Sequence, residues 1–147
     1  MSDGEGRMTN SIFFMRGRVS VNVHYFNTVE STCLFVSGGD RPHIGAVALS
    51  VPRPSLDNPE ELSSTTSILA VTGHKDDELA KKISSELARR LNRTVVTVCG
   101  IHLDSIKKEE MAVVYEIADE CIRAVIDSGT EETGVEERAA VPAGESR

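Results

Sequence analysis

Alternating polar and apolar residues dominate the first half of the chain. Residues 18–25, RVSVNVHY, alternate with the period of a strand that has one buried face. A second apolar run at 32–37 follows a polar turn, so the two segments predict an antiparallel hairpin. Runs at 44–51 and 68–71 predict two more strands. Between them, residues 52–59 contain three prolines and predict an irregular connection.

The second half of the chain changes to helical periodicity. Apolar residues recur every four positions from 79 to 91 and predict a helix that ends at Asn92. The β-branched run 94–99 predicts a central strand that is buried on both faces. A second helix is expected to be capped by Asp104 or Ser105 and to end at Gly129. Its buried stripe would comprise Met111, Val114, Ala118, Cys121, Ile122 and Val125.

These elements give the order β-β-β-β-α-β-α, which predicts an α+β fold. We expect a mixed, mostly antiparallel sheet with two helices packed on one face. The length of 147 residues fits a single domain, which we place at residues 12–128. Residues 1–11 are polar and predict a flexible arm, and the acidic segment 129–147 predicts a disordered tail. Because the chain has no Trp and few other aromatic residues, its core should be aliphatic.

Charge and cysteine content narrow the functional class. The net charge is −7 and no basic run occurs, so the sequence does not predict nucleic-acid binding. No apolar stretch approaches the ~20 residues of a membrane span, and the N-terminal segment does not resemble a signal peptide. The three cysteines, Cys33, Cys99 and Cys121, form no CxxC pair and fall in apolar patterns. They predict buried free thiols and a cytoplasmic location.

A glycine-rich loop, GGDRPHIG at residues 38–45, joins two predicted strands. Its glycines permit positive φ and close backbone approach, while Pro42 stiffens the other end. Such a loop could aim His43 and leave backbone N–H groups open to an anion. The alternative is an ordinary glycine-rich connection capped by a histidine.

Three of the four histidines, His43, His74 and His102, lie at junctions between elements, each near a glycine. If they converge, three imidazoles with a carboxylate or water would suit a divalent metal such as zinc, nickel, manganese or iron. The alternative is that each histidine caps a loop.

A phosphate site is a second hypothesis. His74 and Lys75 begin a helix, where free N–H groups attract anions. The hydroxyl run at 63–67 could add donors, although an edge strand with one wet face is its simpler interpretation. The sequence contains no Walker loop, GxGxxG fingerprint or recognisable nucleophile motif.

Four segments in order, GGDRPHIGAVALS, TTS, GHKDDELAKKIS and CGIHLDSI, resemble the prenylated-flavin chaperone family. These are the small LpdD-like accessory subunits of UbiD-type decarboxylases. The resemblance covers residues 19–127 and implies binding of prenylated flavin mononucleotide (FMN) as cargo, with a UbiD-type decarboxylase as partner. Carried over by motif, the implied cofactor-binding residues are Gly39, Pro42, His43, Ile44, Gly45, His74, Lys75, Asp76, Gly100 and His102.

Two other interpretations stay open. The order of strands and helices is also similar to the small proteasome-assembly chaperone subunits, which would make the chain a protein-interaction module. Alternatively, His43, His74 and His102 could hold a catalytic metal ion in a small enzyme. We favour a cofactor-binding chaperone without turnover, and expect a homodimer because symmetric pairs are common and the first hairpin offers a sheet edge.

Overall fold

The computed structural model describes residues 9–71 and 75–139, with side chains described as far as Ser128. Six strands and two helices follow one another along the chain. Their bounds are β1 Asn10–Arg16, β2 Val19–Asn27, β3 Ser31–Gly39, β4 Ala46–Pro54, β5 Leu62–Ala70, α1 Asp76–Leu91, β6 Thr94–His102 and α2 Lys108–Ala139. Neither helix is long and apolar enough, within the described residues, to cross a membrane.

All six strands form one mixed sheet in the order β1-β2-β3-β6-β4-β5. Every neighbouring pair is antiparallel except β3 and β6, which run parallel from Ser31↔Thr94 to Gly39↔His102. The predicted fold class, an α+β domain with a mostly antiparallel sheet, is confirmed. The prediction that β6 is central is also confirmed, because it lies between β3 and β4.

One strand was absent from the sequence prediction. Strand β1 pairs with β2 through a two-residue turn at Gly17 and Arg18, and Gly17 has a φ of 59°. Glycine at the first central position suits a tight hairpin turn that matches strand twist. The residues Asn10 and Ser11, which were expected in the arm, are the first two residues of this strand.

The core lies between the sheet and the two helices. Strand β2 supplies Val19, Val21 and Val23, and α1 buries Leu79, Ile83 and Leu87 against the sheet. Tyr25 is the buried aromatic residue in this cluster and donates its hydroxyl to Ser128 Oγ at 2.7 Å. The core is therefore aliphatic, as predicted, and its burial against the helices is the main source of stability.

The predicted end of α1 agrees with the structure, whereas the predicted cap and end of α2 do not. Asn92 ends α1 in the left-handed conformation, with φ 51° and ψ 50°, as predicted. Helix α2 continues to Ala139, so the prediction that it ends at Gly129 is wrong. It begins at Lys108, and the Glu110 carboxylate accepts the Lys107 N–H at 2.9 Å, so the cap is not Asp104 or Ser105.

Candidate functional site: a pocket beside the glycine loop

Residues 40–45 of the glycine loop lie against the C-terminal end of β6. The Asp40 N–H donates to the His102 carbonyl at 2.7 Å, and the Gly45 N–H donates to the Cys99 carbonyl at 2.9 Å. The Arg41 N–H also points at the His102 carbonyl, at 3.3 Å. Because these donors are satisfied by β6, the expectation that the loop leaves its backbone amides open to an anion is wrong for Asp40, Arg41 and Gly45.

The glycines permit this close approach between loop, strand and helix. Gly39 has a φ of 73°, and a Cβ there would overlap the His102 carbonyl oxygen. A Cβ on Gly100 would overlap the His43 carbonyl oxygen, and one on Gly45 would overlap the Asp76 carboxylate. These positions therefore shape the site by letting three segments touch.

Asp76 joins the three segments at the beginning of α1. The residue is buried, with 6% of its surface exposed. Its Oδ1 accepts the Ile101 N–H at 3.0 Å, and its Oδ2 accepts His43 Nε2 at 3.0 Å. The carboxylate thus links α1, β6 and the glycine loop. A buried carboxylate is tolerated here because it is hydrogen-bonded and paired.

The His43 ring bridges two acceptors. Nδ1 lies 2.9 Å from the Arg41 carbonyl oxygen, while Nε2 faces Asp76. The Arg41 carbonyl and the Asp76 carboxylate are both acceptors, so both ring nitrogens face groups of this chain.

The structure brings His43 and His102 together but not as a metal site. Their ring centroids lie 6.4 Å apart, and His102 Nε2 contacts Asp104 Oδ1 at 3.0 Å. The third predicted ligand, His74, falls outside the described residues. Within the described part of the chain, no three His, Cys, Asp or Glu side chains form a group that could hold a metal.

The hydroxyl run of the predicted phosphate cradle does not lie at the start of α1. Residues 63–67 lie within the edge strand β5, where Ser64 donates to the Ser85 carbonyl at 3.2 Å and Thr66 pairs with Ser50 at 2.7 Å. Ser85 is nine residues into α1, about 13 Å along the helix from its start. The first turn of α1 is also acidic, so a phosphate near it would depend on the positive charge of Lys75. The edge-strand interpretation of this run is confirmed.

A pocket of about 250 Å³ lies between the beginning of α1, the end of β6 and the beginning of α2. Its polar rim contains Lys75, Asp76 and His102, three residues that the sequence had singled out. Its apolar wall consists of Leu79, Ile101, Leu103, Ile106, Met111, Val114 and Tyr115. The pocket can therefore enclose an apolar or aromatic group and present polar groups at one side.

Sequence reasoning missed most of the pocket wall. Tyr115 lies in no motif, Ile106 ends the segment CGIHLDSI but was given no role, and Met111 was expected in the buried stripe of α2. Met111 is instead 38% exposed, because the pocket opens beside it. The Tyr115 hydroxyl lies 3.4 Å from Glu78, and burial together with that carboxylate raises the pKa of the phenol. Tyr115 therefore stays protonated and able to donate.

Arg18 fastens the glycine loop to α2. Its guanidinium donates to both Glu110 oxygens, at 2.6 and 2.9 Å, and to the Asp104 carbonyl at 2.8 Å. It also reaches Asp40 at 3.3 Å. The hydrogen bond from Arg18, aided by the Lys107 N–H, lowers the pKa of Glu110 to about 2. No sequence pattern indicated this network, which holds the side of the pocket formed by α2.

The cysteines lie where the apolar pattern predicted. Cys99 and Cys121 are buried, and Cys33 is half-buried. Burial raises the pKa of all three thiols, to about 12 for Cys121, so none is an activated nucleophile.

Among solved structures, one match is titled "Crystal Structure of a Novel Chaperone Complex for Yeast 20S Proteasome Assembly". It has a TM-score of 0.53 and 13% identity, covering 82% of this chain and 97% of that one, so it supports the fold alone. No curated protein is a significant match. Residues 15–129, most of the chain, match the family described as the prenylated flavin chaperone LpdD-like domain. This chain therefore belongs to the LpdD-like family of prenylated flavin chaperones.

Proposed function

We propose that the protein binds prenylated FMN in the pocket beside the glycine loop and delivers it to a UbiD-type decarboxylase. Family membership is the observation that carries this proposal. The position of the pocket supports it, because its rim contains Lys75, Asp76 and His102 from the family-like motifs. The protein would act without turnover of its own.

The chemistry of the pocket suits the ring system of the cofactor. Prenylated FMN combines a flat, largely apolar ring system with a sugar-like chain and a phosphate. A pocket of about 250 Å³ is near the lower limit for small-molecule sites, so it suits the ring and leaves the chain outside. Leu79, Ile106 and Met111 would contact the ring, and Tyr115 is the aromatic residue that lines the pocket.

The phosphate would lie at the rim. Lys75 is exposed there, and it is the lysine among the residues that line the pocket. We propose that Lys75, with the adjacent His74, binds the phosphate. His102 and the Asp76–His43 pair would face the polar edge of the ring.

The remaining motif residues would shape the glycine loop rather than contact the cofactor directly. Pro42 and Ile44 are exposed on the loop, whereas the glycines let it pack against β6 and α1. We propose that this loop forms the mouth of the site and is recognised by the decarboxylase. The proposed set comprises Gly39, Pro42, His43, Ile44, Gly45, His74, Lys75, Asp76, Gly100 and His102. A cytoplasmic location and a homodimer complete the proposal.

Binding can be tested by titrating the protein with prenylated FMN, FMN and riboflavin and following flavin fluorescence or heat. Ile106 is 38% exposed at the pocket wall, so Ile106→Asp should leave the fold intact and weaken flavin binding at least about tenfold. Leu56→Asp, at an 86% exposed site outside the pocket, is the matched control. Lys75→Ala should weaken FMN binding and leave riboflavin binding unchanged.

Delivery needs a second measurement. The loaded protein should restore activity to an apo-decarboxylase of the UbiD type faster than free prenylated FMN does, and Ile106→Asp should remove this advantage. Absence of saturable binding by prenylated FMN, or equal affinity in wild type and Ile106→Asp, would contradict the proposal.

The other two interpretations have less support. Fold similarity at 13% identity is no argument for an assembly-chaperone role. For the three-histidine enzyme, the described residues contain no group of side chains that could hold a metal, and His74 lies outside them.

A further inference from the structure

Both helices pack on one face of the sheet, and no described element covers the other face. The alternation of buried and exposed residues assigns side chains to this face, which we call the open face. Its apolar residues come from all six strands: Phe13, Met15, Phe26, Phe35, Val47, Leu49, Val51, Leu69, Val96 and Val98. Four of them form one continuous row across β3, β6, β4 and β5, since Phe35 pairs with Val98, Val98 with Val47, and Val47 with Leu69.

This composition is unusual for a sheet face exposed to water. A solvated face of an antiparallel sheet normally carries polar side chains opposite an apolar inner face. Here Leu69 is 77% exposed, Phe13 56% and Leu49 43%. A contiguous apolar patch across several strands marks an interaction surface rather than scattered exposed residues.

The open face also has a concave region. A cavity of about 260 Å³ is lined by Phe26, Cys33, Leu49 and Val96, among others. It spans β3 and β6 and is bounded by the side chains of β2 and β4. An apolar side chain from a partner could fill it, as the anchors of protein interfaces do.

The charge of the open face favours one partner. Its described residues include no Asp, Glu or Lys, and its single arginine, Arg53, lies near the end of β4. The whole chain, by contrast, has a net charge of −7. Two copies can therefore approach through this face without burying like charges. A contact through another part of the surface would bring the acidic residues of the two copies together, and these would repel each other or have to stay hydrated.

We propose that the open face binds the open face of a second copy of the chain. Six strands spaced about 4.8 Å apart and about seven residues at 3.3 Å each give a face of about 24 Å by 23 Å. The projected area is about 550 Å², about two thirds of the roughly 800 Å² per partner of a standard stable interface, and the uneven surface of the side chains adds to it. The two sheets would stack face to face about 10 Å apart.

This arrangement leaves the candidate flavin pockets accessible. The pocket lies between the helices and the sheet, on the side opposite the open face. A dimer formed through the open faces would therefore carry two outward pockets. The proposal does not depend on what those pockets bind.

The test is the oligomeric state of the full chain, measured by sedimentation and light scattering from 1 to 100 µM. The wild type should be a dimer. Leu49→Lys and Leu69→Lys should raise the dimer dissociation constant at least about 100-fold, because each buries an uncompensated charge in both copies. Leu56→Lys, at an exposed loop site off this face, should remain dimeric.

Cys33 provides a second readout, because it lies on the open face while Cys99 and Cys121 are buried. Maleimide labelling of Cys33 should be slow in the wild type and at least about tenfold faster in Leu49→Lys. Circular dichroism and flavin titration of Leu49→Lys should match those of the wild type, which separates lost association from lost folding.

Three outcomes would overturn the proposal. A wild type that is monomeric throughout, with rapid Cys33 labelling, would leave the face without a self-partner. A monomer with protected Cys33 would mean that a segment of the same chain covers it. A dimer that survives both lysine substitutions would place the interface elsewhere, such as at the sheet edges.

Discussion

Asp76 is the side chain on which the pocket geometry most depends, and substituting it separates two roles. The motif resemblance assigns Asp76 to cofactor binding, whereas the structure gives it two internal hydrogen bonds, to the Ile101 N–H and to His43 Nε2. If the main role of Asp76 is to accept those two hydrogen bonds, Asp76→Ala should destabilise the protein even without a ligand.

The magnitude follows from the two contacts. A hydrogen bond to a charged group contributes roughly 1.5–3 kcal/mol, and the Ile101 N–H would be left unpaired in a partly buried position. Asp76→Ala should therefore lower the free energy of unfolding by about 3–5 kcal/mol, which corresponds to roughly 10 °C in Tm for a chain of this size. Asp76→Asn keeps one acceptor and should lose about half as much.

Urea unfolding followed by circular dichroism measures this loss, since the chain has no Trp for fluorescence. Asp77→Ala is the matched control: it removes a half-buried neighbouring carboxylate from the same helical turn and should cost only about 0.3–1 kcal/mol. Equal urea midpoints for Asp76→Ala and the wild type would refute the reasoning and return Asp76 to a purely ligand-binding role.

Three further predictions concern stability. Gly45→Ala should cost about 2–3 kcal/mol because its Cβ would overlap the Asp76 carboxylate, whereas Gly17→Ala has open space around it and should cost about 1 kcal/mol of backbone strain, both measured as urea midpoints. Glu110 has a folded pKa of about 2 against an ordinary 4.5, so its contribution to the free energy of unfolding is full above pH 5 and is lost as the pH falls from 4.5 towards 2. Glu110→Gln should therefore make the free energy of unfolding less dependent on pH in this range. An unchanged pH dependence would contradict the assignment. Thr97→Val should be neutral or stabilising by up to about 1 kcal/mol in thermal unfolding, because the buried Thr97 hydroxyl has no hydrogen-bond partner among the described residues.

Local patterns correctly predicted the elements whose apolar residues form a continuous run or recur with one regular spacing. The β-branched run at 94–99 and the four-residue spacing from 79 to 91 correctly identified β6 and α1. Strand β1 was missed because its centre, Ile12 to Met15, is apolar at every position and shows no alternation.

Prolines misled the prediction of β4. Strand β4 includes Pro52 and Pro54, which were expected in an irregular connection. Beyond Ser50 this strand pairs with β5 alone, because its pairing with β6 ends there. A proline has no ladder bond to lose on such an open side.

The candidate site was predictable only where its residues share a short motif. The junction residues Lys75, Asp76 and His102 do line one pocket, but Met111 and Tyr115 come from a third segment, α2, that packing alone brings there. The backbone amides of the loop were judged free because their acceptors are the carbonyls of β6, about sixty residues later in the chain. Neither fact can be read from local sequence.

The position of β6 sets an order of events for the folding chain. Strands β3 and β4 are consecutive in the sequence, yet β6 lies between them and supplies the carbonyls that hold the glycine loop. Until β6 is inserted, the chain can form only two separate pieces, the β1–β3 meander and the β4–β5 hairpin. Such long-range pairing is slow because a large loop must close first. The pocket is therefore among the last parts to form, and a chain able to hold a ligand there is one whose sheet is complete.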